Sequence, residues 1–210
     1  MISRVLHSLK YRLNKVNTRR IKGNGNLVNN EGYLEGCTIE ILGNNNRVHF
    51  KKGSKFMHST IYIKGNNCEI VLDKHASMKG GELWLEDEGS KIIMGPKSTI
   101  EDAHIACTEG KMISFGTDCM LAKQIEIRTG DSHSILNKNG ERINPAADVQ
   151  IDDHVWIGNG AKILKGVHLG ENSIVATGAI VTSSFPSGSL VGGSPAKLIK
   201  SNVNWNRQRI

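Results

Sequence analysis

The chain has 210 residues, of which 38% are hydrophobic and only 5% aromatic, so a fold built around a large aromatic core is excluded. The formal net charge of +7 resides in the first 22 residues, because seven lysines and arginines precede the first carboxylate, Glu31. The rest of the chain is formally neutral, which argues against a nucleic-acid-binding surface.

The first segment, residues 1–22, is predicted to form a basic amphipathic helix. Its apolar residues recur at helical spacing: Ile2, Val5, Leu6, Leu9, Leu13 and Val16. Two roles remain open for this helix: it caps the first turns of the following domain, or it makes a peripheral contact with the anionic inner face of a membrane. The segment lacks the long apolar run of a signal peptide, and no stretch is long enough to span a bilayer, so we expect a cytoplasmic protein.

Between residues 149 and 184 the sequence divides into hexads: VQIDDH, VWIGNG, AKILKG, VHLGEN, SIVATG and AIVTSS. Their third positions are all branched aliphatic residues: Ile151, Ile157, Ile163, Leu169, Val175 and Val181. A period of six fits neither an α-helix nor a hairpin sheet, whose side-chain periods are about 3.6 and 2. It fits short strands joined by regular corners, with the aliphatic ladder inside a prism.

A longer repeat of 22 residues precedes the hexads, in blocks that begin at Thr38, Thr60 and Glu82. The blocks superimpose without gaps, which predicts three rows of equivalent apolar residues: Ile39, Ile61 and Leu83; Val48, Ile70 and Ile92; Phe56, Met78 and Ile100. We therefore predict a single all-β solenoid over residues 23–194, followed by a short C-terminal tail over residues 195–210.

One segment, residues 131–147, loses the repeat and is predicted to be a loop inserted into the solenoid. Loops that interrupt a regular scaffold commonly carry binding groups. The four cysteines include no C-x-x-C pair and are interpreted as buried small apolar residues: Cys37, Cys68, Cys107 and Cys119.

The hexads resemble those of the hexapeptide-repeat O-acetyltransferases, as do RTGDSHSI (128–135), INPAADVQIDDHVWIGNGAKILKGVHLG (143–170) and GGSPAKLIK (192–200). The resemblance is strongest to the branch that modifies capsular, exopolysaccharide or lipopolysaccharide sugars. This branch is related to the maltose and galactoside acetyltransferases. The resemblance implies a left-handed parallel β-helix, a homotrimer with active sites between subunits, and acetyl-CoA as acyl donor. The implied activity is acetyl transfer to a sugar hydroxyl of a cell-surface polysaccharide or its precursor.

Acetyl transfer needs a base that removes the proton of the attacking hydroxyl and a donor that stabilises the tetrahedral oxyanion. The resemblance assigns the base to His133, which lies in the interrupting loop. Asp131 is expected to orient the imidazole or to contact the acceptor, although a turn-forming aspartate is an equal interpretation. Arg142 and Asn144, at the far end of the loop, are candidate sugar contacts.

Trp156 occupies the second position of its hexad, which points away from the aliphatic ladder, and a large exposed ring favours a partner. The resemblance places it beside the catalytic histidine, as a second catalytic residue. His154 and His104 also face outward by register and are candidate acceptor contacts. His104 matches a position that contacts the acceptor from the neighbouring subunit in related enzymes.

The donor site is assigned to hexad corners and to the end of the last turn. Small residues at the corners would admit the pantetheine arm of CoA: Gly158, Gly160, Thr177 and Gly178. Tight corners need such residues in any case. Lys197 and Lys200 stand where family members bind the CoA phosphates with cations. No metal is expected.

Three other functions compete with the acetyl-CoA-dependent sugar O-acetyltransferase. A γ-class carbonic anhydrase shares the fold but would need zinc-binding histidines where Asn159 and Leu164 stand. A non-catalytic scaffold would leave the His133 loop unexplained. An N-acetyltransferase acting on an amino sugar would use the same base and thioester, so the sequence separates it poorly from an O-acetyltransferase.

Overall fold

The computed structural model describes residues 17–210, and within that range the chain forms 24 β-strands and no helix. The predicted N-terminal helix therefore falls outside the described residues as far as residue 16. Its last part, Thr18–Lys22, is instead the first strand, because its backbone pairs in parallel with Thr38–Leu42 of the next turn. The solenoid thus begins before residue 23. No helix in the described range is long and apolar enough to cross a membrane.

The strands are short and form the successive sides of the solenoid turns. In chain order they are β1 (Thr18–Lys22), β2 (Leu27–Asn30), β3 (Tyr33–Glu35), β4 (Thr38–Leu42), β5 (Arg47–Phe50), β6 (Lys55–Met57), β7 (Ser59–Lys64), β8 (Glu69–Leu72), β9 (Ser77–Met78), β10 (Gly81–Glu86), β11 (Lys91–Met94), β12 (Thr99–Ile100), β13 (Ala103–Cys107), β14 (Met112–Phe115), β15 (Met120–Leu121), β16 (Ile125–Arg128), β17 (Val149–Ile151), β18 (Trp156–Ile157), β19 (Lys162–Ile163), β20 (His168–Leu169), β21 (Ile174–Val175), β22 (Ile180–Val181), β23 (Leu190–Gly193) and β24 (Ala196–Lys200).

Three sheets form the faces of the solenoid, and the chain visits them in turn. Sheet A contains β1, β4, β7, β10, β13, β16, β19 and β22; sheet B contains β2, β5, β8, β11, β14, β17 and β20. Sheet C contains β3, β6, β9, β12, β15, β18, β21 and β23, and ends with β24. All pairs are parallel except β23 with β24. The predicted all-β solenoid is confirmed.

The register of the sheets confirms the alignment of the 22-residue repeats. The predicted rows are paired strand by strand: Ile39 with Ile61 and Leu83, Val48 with Ile70 and Ile92, Phe56 with Met78 and Ile100. These side chains, and the third residues of the hexads, are at most 2% exposed. Burial of this continuous aliphatic and aromatic stack stabilises the solenoid, because each turn covers the apolar surface of its neighbours.

Hydrogen-bonded side chains stabilise the corners between sheets A and B. Asn46 is fully buried, and its Nδ2 donates to the Gly65 carbonyl at 2.9 Å while its Oδ1 accepts from the Cys68 N–H at 2.9 Å. Asn45 and Asn67 both have φ of 57°, which asparagine tolerates better than most residues. Stacked corners of this kind keep successive strands in one register.

The C-terminal tail closes the last turn of the solenoid. After β23 the chain reverses, so that β24 adds an antiparallel strand to the edge of sheet C. Beyond β24 the tail crosses back over earlier turns, and Trp205 is only 9% exposed. The tail is therefore a packed element of the fold.

Candidate active site

The loop of residues 131–147 leaves the solenoid at the corner between sheets A and B, after β16 and before β17. It folds as an irregular hairpin, in which Leu136 and Arg142 form an antiparallel bridge. The Ile143 N–H donates to the Ile135 carbonyl at 2.8 Å. The predicted interruption is thus a structured excursion from the repeat.

Asn144 organises the backbone around His133. Its side chain is buried although most of the loop is exposed. Its Nδ2 donates to the His133 carbonyl and to Asp131 Oδ2, both at 2.8 Å, while its Oδ1 accepts from the Ile135 N–H at 2.7 Å. A buried amide with all these partners holds the loop in one conformation, because breaking any of these bonds would leave a polar group unpaired.

Two ion pairs attach the loop to the solenoid. Lys165 contacts Asp131 Oδ2 and also donates to the Asn144 carbonyl at 3.1 Å. Arg142 donates to both carboxylate oxygens of Glu109, at 2.9 and 2.6 Å. The hydrogen bond from Lys165 lowers the pKa of the Asp131 carboxyl, and that from Arg142 lowers the pKa of Glu109. Both carboxylates are therefore held in their charged form.

His133 itself projects from this braced loop. Its residue is exposed, and within residues 17–210 its imidazole makes no hydrogen bond, so a ring nitrogen is available to take a proton from an acceptor hydroxyl. The predicted orienting contact with Asp131 is not formed, because that carboxylate is bound by Lys165 and Asn144. Arg142 and Asn144, predicted to contact sugar, are engaged in bracing the loop.

Trp156 lies on a different face from the loop. It is the outward residue of β18 in sheet C and is 37% exposed. Its ring centroid is 6.2 Å from that of Trp205, with the planes tilted by 47°. Within one chain Trp156 therefore lies on sheet C, whereas His133 extends from the corner between sheets A and B.

His154 contacts the C-terminal tail. Its ring stacks on Trp205 with centroids 4.1 Å apart and planes 7° apart. Its Nδ1 lies 2.9 Å from Asp118 Oδ2 and its Nε2 lies 3.0 Å from the Trp205 carbonyl, while Trp205 Nε1 donates back to the His154 carbonyl at 2.7 Å. Both ring nitrogens thus lie within hydrogen-bonding distance of oxygen atoms.

Trp205 and Arg207 were missed by the sequence reasoning. Arg207 lies over the Trp205 ring at 5.7 Å and donates to Asp118 Oδ1 at 2.8 Å. The signal for such a contact in the sequence is a single tryptophan, the one aromatic residue of the tail. These residues join the tail to the turn that carries Trp156, and they give His154 a clear structural role.

His104 lines a groove on sheet A next to the loop. Its Nδ1 is 3.3 Å from Glu82 Oε2 in the neighbouring strand. The groove has a volume of about 210 Å³ and extends to Ser132, the residue before His133. Among the predicted acceptor contacts, His104 is thus placed on a surface that continues to the loop.

The corner residues assigned to the donor fall into two groups. A side chain at Gly158 would lie 2.7 Å from the Thr177 nitrogen and 2.8 Å from the Val175 oxygen, so close packing of the backbone accounts for this glycine. Gly160 and Gly178 have φ of 69° and 70°, and a Cβ atom at either position would meet no other atom within 4 Å, which leaves an open strip beside them. Thr177 is exposed, as are Lys197 and Lys200 on β24.

No group of side chains in residues 17–210 has the composition and spacing needed to hold a metal ion. All four cysteines are buried and free, and burial raises the pKa of Cys107 and of Cys119 to about 11. Such thiols are protonated at neutral pH and are poor nucleophiles. The cysteines are therefore unsuited to nucleophilic catalysis, whereas the loop offers the exposed imidazole of His133.

Comparison with known proteins places the chain in a family. A family model described as bacterial transferase hexapeptide (six repeats) matches residues 148–183. A polysialic acid O-acetyltransferase from Neisseria meningitidis is 38% identical over 172 residues, which cover 81% of this chain and 80% of that protein. The chain belongs to the hexapeptide-repeat O-acetyltransferases. It is therefore an acyltransferase, and acetyl-CoA is the acyl donor that its acetyltransferase relatives imply.

Further relatives of this acetyltransferase agree with that assignment. A polysialic acid O-acetyltransferase from Escherichia coli O1:K1 / APEC is 33% identical over 139 residues, which cover 66% of this chain but 45% of that longer protein. The crystal structure of the polysialic acid O-acetyltransferase OatWY has a TM-score of 0.86 and 32% identity, covering 93% of both chains. That of the polySia-specific acetyltransferase NeuO has a TM-score of 0.83 and 30% identity, covering 91% of this chain and 83% of that one.

Proposed function

We propose that this acetyltransferase moves the acetyl group of acetyl-CoA to a sugar hydroxyl of an acidic capsular polysaccharide of the polysialic acid type. The observation that carries the proposal is the braced loop that exposes the His133 imidazole. Its support comes from the similarity to polysialic acid O-acetyltransferases over most of both chains.

The reaction follows from the chemistry of an exposed imidazole beside a thioester. A neutral His133 accepts the hydroxyl proton while the sugar oxygen attacks the acetyl carbonyl of acetyl-CoA. The tetrahedral intermediate collapses with cleavage of the carbon–sulfur bond, and the imidazolium returns its proton to the CoA thiolate. The products are the acetyl ester of the sugar and free CoA, and the histidine is regenerated.

The complete site requires more than one subunit. We infer a homotrimer of left-handed solenoids, in which the loop of one subunit reaches the sheet C face of the next and brings His133 to Trp156. The separation of these two residues on different faces of one chain supports this arrangement. Three exposed apolar residues of the loop suit such a contact: Ile135, Leu136 and Ile143.

The donor is proposed to lie along the open strip beside Gly160 and Gly178, where no side chain blocks a pantetheine arm. Thr177 and Gly158 complete that corner. Lys197 and Lys200, exposed on the terminal strand, would neutralise the CoA phosphates as point charges. The arm would then run along the solenoid towards the loop.

Release of CoA thiol from acetyl-CoA tests the proposed function directly. We expect thiol release with sialic acid polymers, and one additional acetyl ester per CoA by mass spectrometry. Neutral polysaccharides and amino sugars serve as comparison acceptors. Thiol release with an amino sugar alone, or with none of these acceptors, would contradict the proposal.

A further inference from the structure

The outward face of sheet A carries an aromatic pair that the proposed chemistry does not use. Tyr62 of β7 and Trp84 of β10 are paired in register, and their ring centroids lie 4.2 Å apart with planes tilted by 32°. Both side chains point away from the core, yet both are half-buried. At this separation the rings stack face against face, so Tyr62 covers one face of the Trp84 indole. The pair is an apolar feature on the outside of a solenoid whose outward residues are mostly polar.

The same row of the sheet continues from this pair towards the catalytic loop. Trp84 is paired with Ala106 of β13, and Ala106 with Arg128 of β16. The small Ala106 side chain leaves a depression between the Trp84 ring and the Arg128 side chain. This depression is the floor of the groove of about 210 Å³ that ends at Ser132. The groove thus connects Trp84 to the residue next to His133.

Polar groups line the edges of the groove. Arg128 donates through Nε to Glu126 at 2.5 Å, and its terminal guanidinium nitrogens have no partner within residues 17–210. Glu86 is paired with Lys64 at 3.0 Å, and His104 with Glu82 at 3.3 Å. A groove with the Trp84 indole on one side and charged hydrogen-bonding groups along its border suits a sugar ring, whose C–H face packs on the indole while its hydroxyls bind the border.

We propose that the groove between Trp84 and Arg128, with Tyr62 stacked behind the indole, is a second acceptor subsite, which binds the sugar residue next to the one that is acetylated. This inference rests on the proposed function. The free guanidinium nitrogens of Arg128 can bind a carboxylate in a bidentate manner, so the bound sugar is an acidic one. Neighbouring strands are about 4.8 Å apart, so the groove spans about 10 Å from β10 to β16, more than one sugar ring occupies.

This subsite makes the enzyme sensitive to acceptor length. A monosaccharide reaches His133 without touching Trp84, whereas an oligosaccharide gains the contacts of the groove. The additional binding is present before and during the reaction, so it lowers KM without changing kcat.

Acceptors of defined length test the subsite. CoA thiol release is measured with sialic acid oligomers from monosaccharide to hexasaccharide, for the wild-type protein, Trp84→Ala and Trp84→Phe. We expect Trp84→Ala to lower kcat/KM for the hexasaccharide about tenfold, through KM, as for truncation of an aromatic binding residue. The monosaccharide should be unaffected, and Trp84→Phe should restore most of the loss. Tyr33→Ala is the matched control, because Tyr33 is also a half-buried outward aromatic residue but lies on sheet C. It should leave kcat/KM unchanged for all acceptors.

Arg128→Gln tests the charge of the bound sugar. We expect this substitution to weaken binding of the acidic oligomer but not binding of an oligomer whose carboxylates have been reduced to alcohols. An equal loss on both, or a loss from Trp84→Ala that is independent of length, would overturn the subsite. A change in subunit number of Trp84→Ala, measured by light scattering, would also overturn it, because the groove would then be a subunit contact.

Failure of the proposed function is distinguishable from failure of this inference. If the proposed function is wrong, the wild-type protein releases no thiol with any acceptor. The subsite has an independent readout, which is calorimetric titration of the hexasaccharide into the protein without acetyl-CoA. Equal affinity of the wild-type protein and Trp84→Ala would overturn the subsite whether or not turnover is seen.

Discussion

His133 is presented by a loop whose backbone is held by the buried Asn144 amide, while its imidazole stays free of protein partners in the described part of the chain. We expect His133→Ala to lower the rate of acetyl transfer by about 10² to 10⁴, which is the usual contribution of general base catalysis. Initial rates of thiol release at saturating acceptor concentration measure this loss. His168→Ala, a change to an exposed histidine on sheet B, is the control and should retain activity. Unchanged turnover of His133→Ala would remove this residue from the mechanism.

Asn144 illustrates a residue that acts through its neighbours. Asn144→Ala removes four side-chain hydrogen bonds and leaves partly buried backbone groups unpaired, which we expect to cost about 1 to 3 kcal/mol in the free energy of unfolding. Activity should also fall, since His133 is no longer held in position. Thermal unfolding and kcat are measured together, with the exposed Asn139→Ala as control. Full activity in a destabilised Asn144→Ala protein would show that the loop does not need this brace.

The loop of residues 131–147 is attached to the solenoid through carboxylates whose pKa values are lowered. These lowered pKa values determine how the stability of the attachment changes with pH. Asp131 and Glu109 have ordinary pKa values of 3.8 and 4.5, and both are lowered in the folded protein by Lys165 and Arg142. Their stabilising effect is therefore complete above about pH 5 and is lost as the pH falls through the lowered folded values.

We expect the hydrogen-exchange protection of residues 131–147 to be constant between pH 5 and 7 after correction for intrinsic rates, and to fall below about pH 4. Lys165→Met should remove much of this dependence, because the carboxylate of Asp131 loses its main partner. Loss of protection between pH 5 and 7 in the wild-type protein would point to a histidine instead and contradict the assignment.

The C-terminal tail is the second element attached by specific contacts. Trp205→Ala removes the stack on His154 and the hydrogen bond from the indole Nε1 to the His154 carbonyl. The hydrogen bond between His154 Nε2 and the backbone carbonyl of residue 205 then loses its geometry. We expect the tail to detach while the solenoid stays folded, because the hydrophobic stack inside it is untouched. Hydrogen exchange of residues 201–210 reports the change. Gln208→Ala is the control, and unchanged protection in Trp205→Ala would show that the stack does not hold the tail.

At the scale of the whole molecule, the proposed active site pairs His133 of one subunit with Trp156 of another. Two inactive variants, His133→Ala and Trp156→Ala, should then complement each other when they are co-expressed. With random assembly of a closed trimer, about a quarter of the sites contain both native residues. Recovery of about that fraction of wild-type activity is the expected result. Mixtures that stay inactive would place both residues of a site in one subunit.

The repeat architecture was predictable from the sequence because burial in a solenoid is periodic. Inward positions recur at a fixed interval in every turn, so the hexad positions of Ile157 and Ile163 predict their burial without knowledge of distant contacts. The interruption at residues 131–147 was visible for the same reason, since it breaks that interval. The role of His133 came from family resemblance and stays a prediction.

Tertiary structure alone decided which polar residues are occupied by structural contacts. His154 faces outward by register, as predicted, but the indole that covers it is 51 residues further along the chain. Asp131 and Asn144 lie in the predicted loop, yet Lys165 from a later turn determines where the carboxylate points. Hexad periodicity specifies which side chains point inward, because that depends on local strand geometry. It contains no information about which outward side chains meet, because that depends on how distant turns, the loop and the tail come together.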